Sequence, residues 1–250
     1  MRWELASRRQ VFVPDFFRAA GTTSTQVVVF FHGAAWCAEQ TFYEARKNAV
    51  LLTVNSVGEG DFEAMGGQLP GLLEALEHTL AENGVTTAPL GRLCVASFSG
   101  GYTAVKSILE NPSLSGRVSV VVLADSLYGP RVPGREDALE PAPLEPFLRH
   151  ARRAARGEPG AEFWFTHLYP PEPQYRNNKT TLAASWLIDQ VGAGRKAASE
   201  CNSRGARLLY RADLRGFHVL GYAGMTTQDH FEHFYAFGDL LRATGLASAP

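Results

Sequence analysis

The chain has 250 residues, of which 45% are hydrophobic and 20% charged, the proportions of a globular protein with a sizeable core. Its 24 basic and 25 acidic side chains nearly cancel, which argues against nucleic acid or an anionic membrane as a partner. Three cysteines, Cys37, Cys94 and Cys201, are too few and too widely spaced for a disulfide framework or a C-x-x-C metal site.

The opening segment MRWELASRRQ carries no apolar signal core, and no apolar run is long enough to span a bilayer, so a soluble cytoplasmic protein is expected. Residues 3–5 and 10–13 suit an antiparallel edge hairpin. The runs 26–31 (QVVVFF), 49–54 (AVLLTV), 92–96, 118–124 (VSVVVLA), 162–166 (EFWFT) and 206–211 (ARLLYR) read as strands. Such near-continuous apolar runs suit parallel strands covered on both faces. Helical patterns alternate with them. At 69–80, Leu69, Leu72, Leu73, Leu76 and Leu80 share one face. A second helix, over 102–109, stops before Asn111-Pro112. Others are predicted over 144–156, 181–191 and 231–243, and Arg149, Arg152, Arg153 and Arg156 form a solvated face on the first of these. The alternation predicts the α/β class: a mostly parallel open sheet with helices on both faces, in one domain over 1–250. The Pro/Gly-rich piece 129–146 is either a surface crossover or a short lid. Gly58-Glu59-Gly60-Asp61 is not a P-loop, because no Gly-Lys-Ser/Thr follows.

The most informative segment is LCVASFSGGYTAV, residues 93–105. A β-type run enters the turn Ser97-Phe98-Ser99-Gly100-Gly101, and a helical stretch follows. Strand, tight small-residue turn and helix is the arrangement that lifts a serine Oγ out of a sheet. The turn needs small residues two before and two after the nucleophile. Ser97 and Gly101 satisfy that around Ser99, whereas around Ser97 the first position is the β-branched Val95. Ser99 is therefore the candidate nucleophile and Ser97 the alternative.

Upstream, the strand 26–31 runs into His32-Gly33-Ala34-Ala35-Trp36. This His-Gly loop, the serine turn two strands later, an acid at a strand end and a C-terminal histidine resemble the α/β-hydrolase superfamily, from about residue 26 to 241. The resemblance implies a Ser-acid-His triad in that chain order. It also implies an oxyanion hole made by the backbone N–H groups of Ala34 (or Ala35) and Gly100, with Gly33 allowing close approach of the backbone. Asp125 directly follows the strand 118–124 and is the favoured acid. Superfamily members more often carry the acid one strand later, where this chain offers only Glu172; Asp213 is a further alternative. His230, at the start of the last helical stretch, is the favoured base, with His218 and His233 as alternatives. Asp229 reads as an N-terminal helix residue, and His32 as a residue that shapes its loop. His78, His150 and His167 read as surface or pocket-wall positions. Phe98 and Trp36 are candidate walls of an apolar acyl pocket, with Tyr128 and Tyr169 nearby, and Trp164 reads as core. No metal or other cofactor is expected, since Asp229, His230 and His233 have no further ligand group at metal-binding spacing. The implied activity is that of a serine hydrolase acting on an ester, thioester or amide of a small-molecule acyl substrate. Acyl transfer or cyclisation through the same serine, or a binding protein on the same scaffold, are the alternatives.

Overall fold

Apolar, β-branched segments build a ten-stranded sheet in the computed structural model, which describes residues 1–19, 23–56 and 60–250. The strands are β1 (Arg2–Ala6), β2 (Arg9–Phe12), β3 (Thr25–Phe31), β4 (Ala49–Val54), β5 (Leu90–Phe98), β6 (Val118–Ala124), β7 (Glu162–Tyr169), β8 (Arg195–Ala197), β9 (Leu208–Leu214) and β10 (Phe217–Ala223). Their order is β1-β2-β4-β3-β5-β6-β7-β10-β9-β8. The centre, β4-β3-β5-β6-β7-β10, is parallel, and both edges are antiparallel. The helices are α1 (Ala35–Ala45), α2 (Met65–Glu82), α3 (Tyr102–Glu110), α4 (Pro112–Ser115), α5 (Glu145–Arg156), α6 (Lys179–Val191), α7 (Thr227–Tyr235) and α8 (Phe237–Ala243).

Alternation along each strand sorts side chains between two cores. Val27, Val29 and Phe31 of β3 face the core built with α2, α3, α5 and α6. Val28 and Phe30 face the opposite core, with Phe42 of α1, Phe234 of α7 and Phe237 of α8. The α/β class and the edge hairpin are as the sequence implied. The last helical stretch is broken at Ala236 into α7 and α8 rather than continuous. Four elements carried too weak a pattern to be expected: α1, α4, β8 and β10. In β10, Gly221 interrupts the apolar run because the ring of Tyr210 fills the space of its side chain, 2.3 Å from where a Cβ would stand.

Helix α2 begins four residues earlier than its leucine pattern and contains Pro70. A proline has no N–H for the carbonyl four residues back, so Gly66 O would be orphaned inside the helix. Asn111 Nδ2 donates to that oxygen at 2.5 Å and thereby ties α2 to the end of α3. The arginine face of α5 is solvated, with Arg153 and Arg156 both paired to Glu158. Segment 129–146 is irregular, but Leu139 and Leu144 anchor it in the core. Gly58 and Glu59 lie outside the described residues. Among the described residues, no helix is long and apolar enough to cross a membrane.

Two histidines expected at the surface or in a pocket wall are buried instead. His150 shares a hydrogen bond with Glu162 O at 3.0 Å, and His167 shares one with Tyr210 Oη at 2.6 Å. The apolar face of α5 and the long run of β7 carry them inward. Burial pushes both imidazoles down, each to about 4. Their unfolded counterparts titrate near 6.5, so the unfolded chain binds protons first and folding stability falls as pH drops from 6.5 toward 4. Thermal unfolding followed across that window should show this loss. His150→Gln, which keeps a donor for Glu162 O but does not titrate, should flatten part of the slope.

Candidate active site

Three adjacent parallel strands end in a left-handed residue that is not glycine. His32 follows β3 with φ 69°, Ser99 follows β5 with φ 49°, and Asp125 follows β6 with φ 42°. Such conformations cost on the order of 1–3 kcal/mol each, and they turn the chain sharply out of the sheet. The other left-handed non-glycine residues, Arg8, Arg46 and Arg215, sit in surface reversals. The three strand-end residues are thus gathered at one edge of the sheet, the crevice where open α/β sheets bind ligands.

Ser99 opens a short 3-10 turn, Ser99–Gly101, that leads into α3. Gly101 is obligatory: a Cβ there would lie 2.4 Å from Phe31 O and 3.0 Å from His32 Cβ. The serine turn is therefore pressed against the exit of β3. Ser97 is fully buried, and its Oγ shares a 2.8 Å hydrogen bond with Ser126 Oγ. Ser126 Oγ donates in turn to Ser99 O at 2.7 Å. Ser97 thus braces the turn from beneath, while Ser99 is half-buried. Burial, then the nearby Asp125 charge, push the Tyr128 phenol up, and the neighbouring Ser99 opposes the shift.

Asp125 is 2% exposed and held on every side. Its Oδ2 accepts from His230 Nδ1 at 2.6 Å, and its Oδ1 from the Leu168 N–H at 3.1 Å. Its own N–H donates to Thr166 O at 2.8 Å, and its carbonyl accepts from Tyr128 Oη at 3.0 Å. Burial pushes the carboxyl up. The His230 hydrogen bond, the nearby His233 and His230 rings and the Thr180 hydroxyl outweigh it and hold the group below the ordinary carboxylate range. The carboxylate fixes the proton on His230 Nδ1 and leaves Nε2 as the acceptor.

His230 lies in the first turn of α7, which Thr226 and Asp229 start with a reciprocal capping box. Asp229 is thus the helix-start residue that the sequence suggested. The His230 ring stacks on Phe98 with centroids 4.5 Å apart. Phe98 also stacks on Phe234 at 5.0 Å and is 3% exposed, so it lies beneath the imidazole rather than beside open space. Trp36 is 67% exposed in the first turn of α1. Trp164 is buried, as expected, and stacks on His218 at 3.8 Å.

The remaining candidates lie elsewhere. His218 Nδ1 bonds to Asp213 at 2.7 Å, but both sit where β9 turns into β10, the sheet edge remote from Ser99. Glu172 is exposed in the loop after β7. His233 is buried and bonded to Thr166 Oγ1 at 2.8 Å. His32 is held low by burial and then by repulsion between its protonated form and the nearby His230 imidazole.

The exit of β3 supplies backbone donors. Gly33 has φ 126°, and a Cβ there would meet Phe234 Cζ at 2.8 Å. Its N–H donates to Asn55 Oδ1 at 3.0 Å. Ala34 then caps α1, its carbonyl accepting from the N–H groups of Cys37 and Ala38, so the helix-start amides just beyond it lack intrahelical acceptors. A cavity of about 280 Å³ opens beside His230, bordered by Asp125, Tyr128, Leu168, Lys179, Thr180 and Thr226. Of the aromatic side chains expected as walls, only Tyr128 borders it. Asn55 and the Leu168 amide had no sequence signal, because each acts through a tertiary hydrogen bond.

No protein-family model and no curated protein sequence matches this chain. Among solved structures, it is similar to a ferric enterobactin esterase from Salmonella typhimurium, with 15% identity and a TM-score of 0.42 over 76% of this chain and 48% of that one. A siderophore hydrolase from Aspergillus fumigatus has 14% identity and a TM-score of 0.35 over 62% of this chain and 52% of that one. Lipase B from Aspergillus fumigatus has 13% identity and a TM-score of 0.35 over 68% and 44%. The chain spans about half the length of these proteins.

Gly101→Ala tests the packing that holds the serine turn. Its methyl group meets backbone, which has little room to yield, so a loss of about 1–3 kcal/mol in chemical denaturation is expected. The displaced Ser99 should also lose reactivity toward a fluorophosphonate.

Proposed function

We propose that this protein is a serine hydrolase of the α/β-hydrolase type, cleaving an ester, thioester or amide of a small molecule. The observation that carries the reading is the buried Asp125 carboxylate bonded to His230 Nδ1 at 2.6 Å, beside a serine in a left-handed strand-to-helix turn. A buried charge is costly unless paired, and this one orients an imidazole toward the crevice that holds Ser99.

In the proposed reaction, Ser99 Oγ attacks the carbonyl carbon while His230 Nε2 takes its proton. Asp125 holds the imidazole and balances the imidazolium charge. The amide of Gly100 and that of Ala34 or Ala35 receive the oxyanion, each such donor being worth roughly 3 kcal/mol of barrier. His230 then passes its proton to the departing alcohol, thiol or amine, leaving an acyl group on Ser99. A water molecule, deprotonated by His230, attacks that acyl group and frees the acid. The cavity of about 280 Å³ beside His230 suits a small substrate portion.

Incubation with a fluorophosphonate, read by intact mass, should give one adduct that Ser99→Ala abolishes and Ser97→Ala keeps. An adduct lost only in Ser97→Ala, or none on folded protein, would overturn the assignment. Asp125→Asn should preserve the fold and slow turnover of an activated ester roughly 10³- to 10⁴-fold, because the imidazole loses its fixed tautomer. Product analysis with an added amine or alcohol would separate hydrolysis from acyl transfer.

A further inference from the structure

Asn55 lies directly after β4, and nothing in its sequence context marks it. Its side chain meets the exit of β3 at the point where the parallel ladder between these strands ends. The last backbone rung is His32 N–H to Val54 O at 3.2 Å. His32 then takes its left-handed conformation, and the chain leaves the sheet. The next amide, that of Gly33, is out of reach of the β4 backbone. Asn55 Oδ1 accepts it instead at 3.0 Å. Asn55 is itself fixed, since its N–H donates to Arg8 O at 3.0 Å across the hairpin edge.

We propose that Asn55 is a positioning residue for the oxyanion-binding backbone, clamping the Gly33 peptide so that the amides following it face the reacting carbonyl. The inference rests on the serine-hydrolase reading. Gly33 has no side chain to restrict its torsions, and its φ of 126° is available to glycine at little cost. The torsions of Gly33 set where the Ala34 and Ala35 amides point. Their outcome depends on two contacts: the Asn55 hydrogen bond, which fixes the His32–Gly33 peptide plane from which those torsions project, and the Phe234 ring, which fills the side-chain space on one side. The ring blocks a direction without specifying an angle, so the directional constraint falls to Asn55. Its carboxamide also meets a requirement that a carboxylate would not. It accepts the Gly33 N–H without placing a negative charge close to a developing oxyanion.

The test is the kinetics of fluorophosphonate labelling at Ser99, because phosphonylation also develops negative charge on an oxygen held by the same amides. For Asn55→Ala and Asn55→Ser, the maximal labelling rate should fall about 10- to 100-fold, the range expected when a donor is misaligned rather than removed. The half-saturating probe concentration should stay near that of the unmodified protein. Final labelling should still reach one adduct per chain, with circular dichroism unchanged. A purely structural role would instead lower the final stoichiometry in step with the rate, and that result would overturn the proposal. An unchanged maximal rate in either folded variant would overturn it as well. If the unmodified protein does not label at Ser99, the hydrolase reading falls and this inference with it. Labelling that is indifferent to Asn55 removes this inference alone.

Discussion

The site depends on a constraint of direction. Parallel strands all end at the same edge of the sheet, so whatever follows β3, β5 and β6 emerges side by side. Each of these strands must then leave the sheet within one residue, or its successor would continue into solvent. The left-handed conformations of His32, Ser99 and Asp125 supply that sharp exit. Strain is therefore concentrated at three neighbouring points, and the packing around them maintains it. The bracing is specific to each. Asn55 and Phe234 hold the first exit, Ser97 and Ser126 the second, and Thr166, Leu168 and Tyr128 the third.

Two glycines set the distances between these exits. Gly101 lets α3 begin against Phe31 O, and Gly33 lets the β3 exit lie on the ring of Phe234. Phe234 belongs to α7, the helix that also carries His230, one turn earlier. The aromatic stack of Phe30, Phe234, Phe98 and His230 thus links the β3 core, the serine turn and the histidine in one packed column. A side chain read from sequence as a pocket wall, Phe98, is the middle of that column. Its position beside Ser99 in the chain suggested contact with substrate, but sequence adjacency cannot tell which face of a turn a ring occupies.

What was legible in the sequence follows the strength of each periodic signal. The buried parallel strands were visible because they are covered on both faces and so consist of unbroken apolar residues. β10 was not, since it borders the antiparallel β9 and carries His218 and Gly221 among its apolar residues. The strand-turn-helix around Ser99 was readable because steric demands at Ser97 and Gly101 are written in residue size. The pairing of Asp125 with His230 spans 105 positions and leaves no local trace beyond a carboxylate at a strand end and a histidine near a helix start. The buried state of His167 was hidden for a related reason: its partner, Tyr210, is 43 residues away.

The placement of the Asp125 carboxylate has a physical account in the neighbouring strand, β7. β7 runs through His167 and Leu168 to Tyr169, past the level at which β6 ends. At that level it contributes a backbone amide, Leu168 N–H, to Asp125 Oδ1. The peptide that follows is held by His167, whose Nδ1 bonds to Leu168 O at 2.8 Å while Tyr210 engages its other ring nitrogen. Thr181 Oγ1 donates to the same carbonyl at 2.6 Å. With the carboxylate on β6, the strand beside it is free to act as a donor, and the buried negative charge gains a hydrogen bond from a strand whose next carbonyl two side chains hold in place. A carboxylate on β7 would forgo that donor, because a residue's own amide and side chain leave a strand in different directions. Asp125 on β6 thus has a backbone donor from β7 beside the His230 hydrogen bond, which leads the interactions that outweigh burial and hold it below the ordinary carboxylate range.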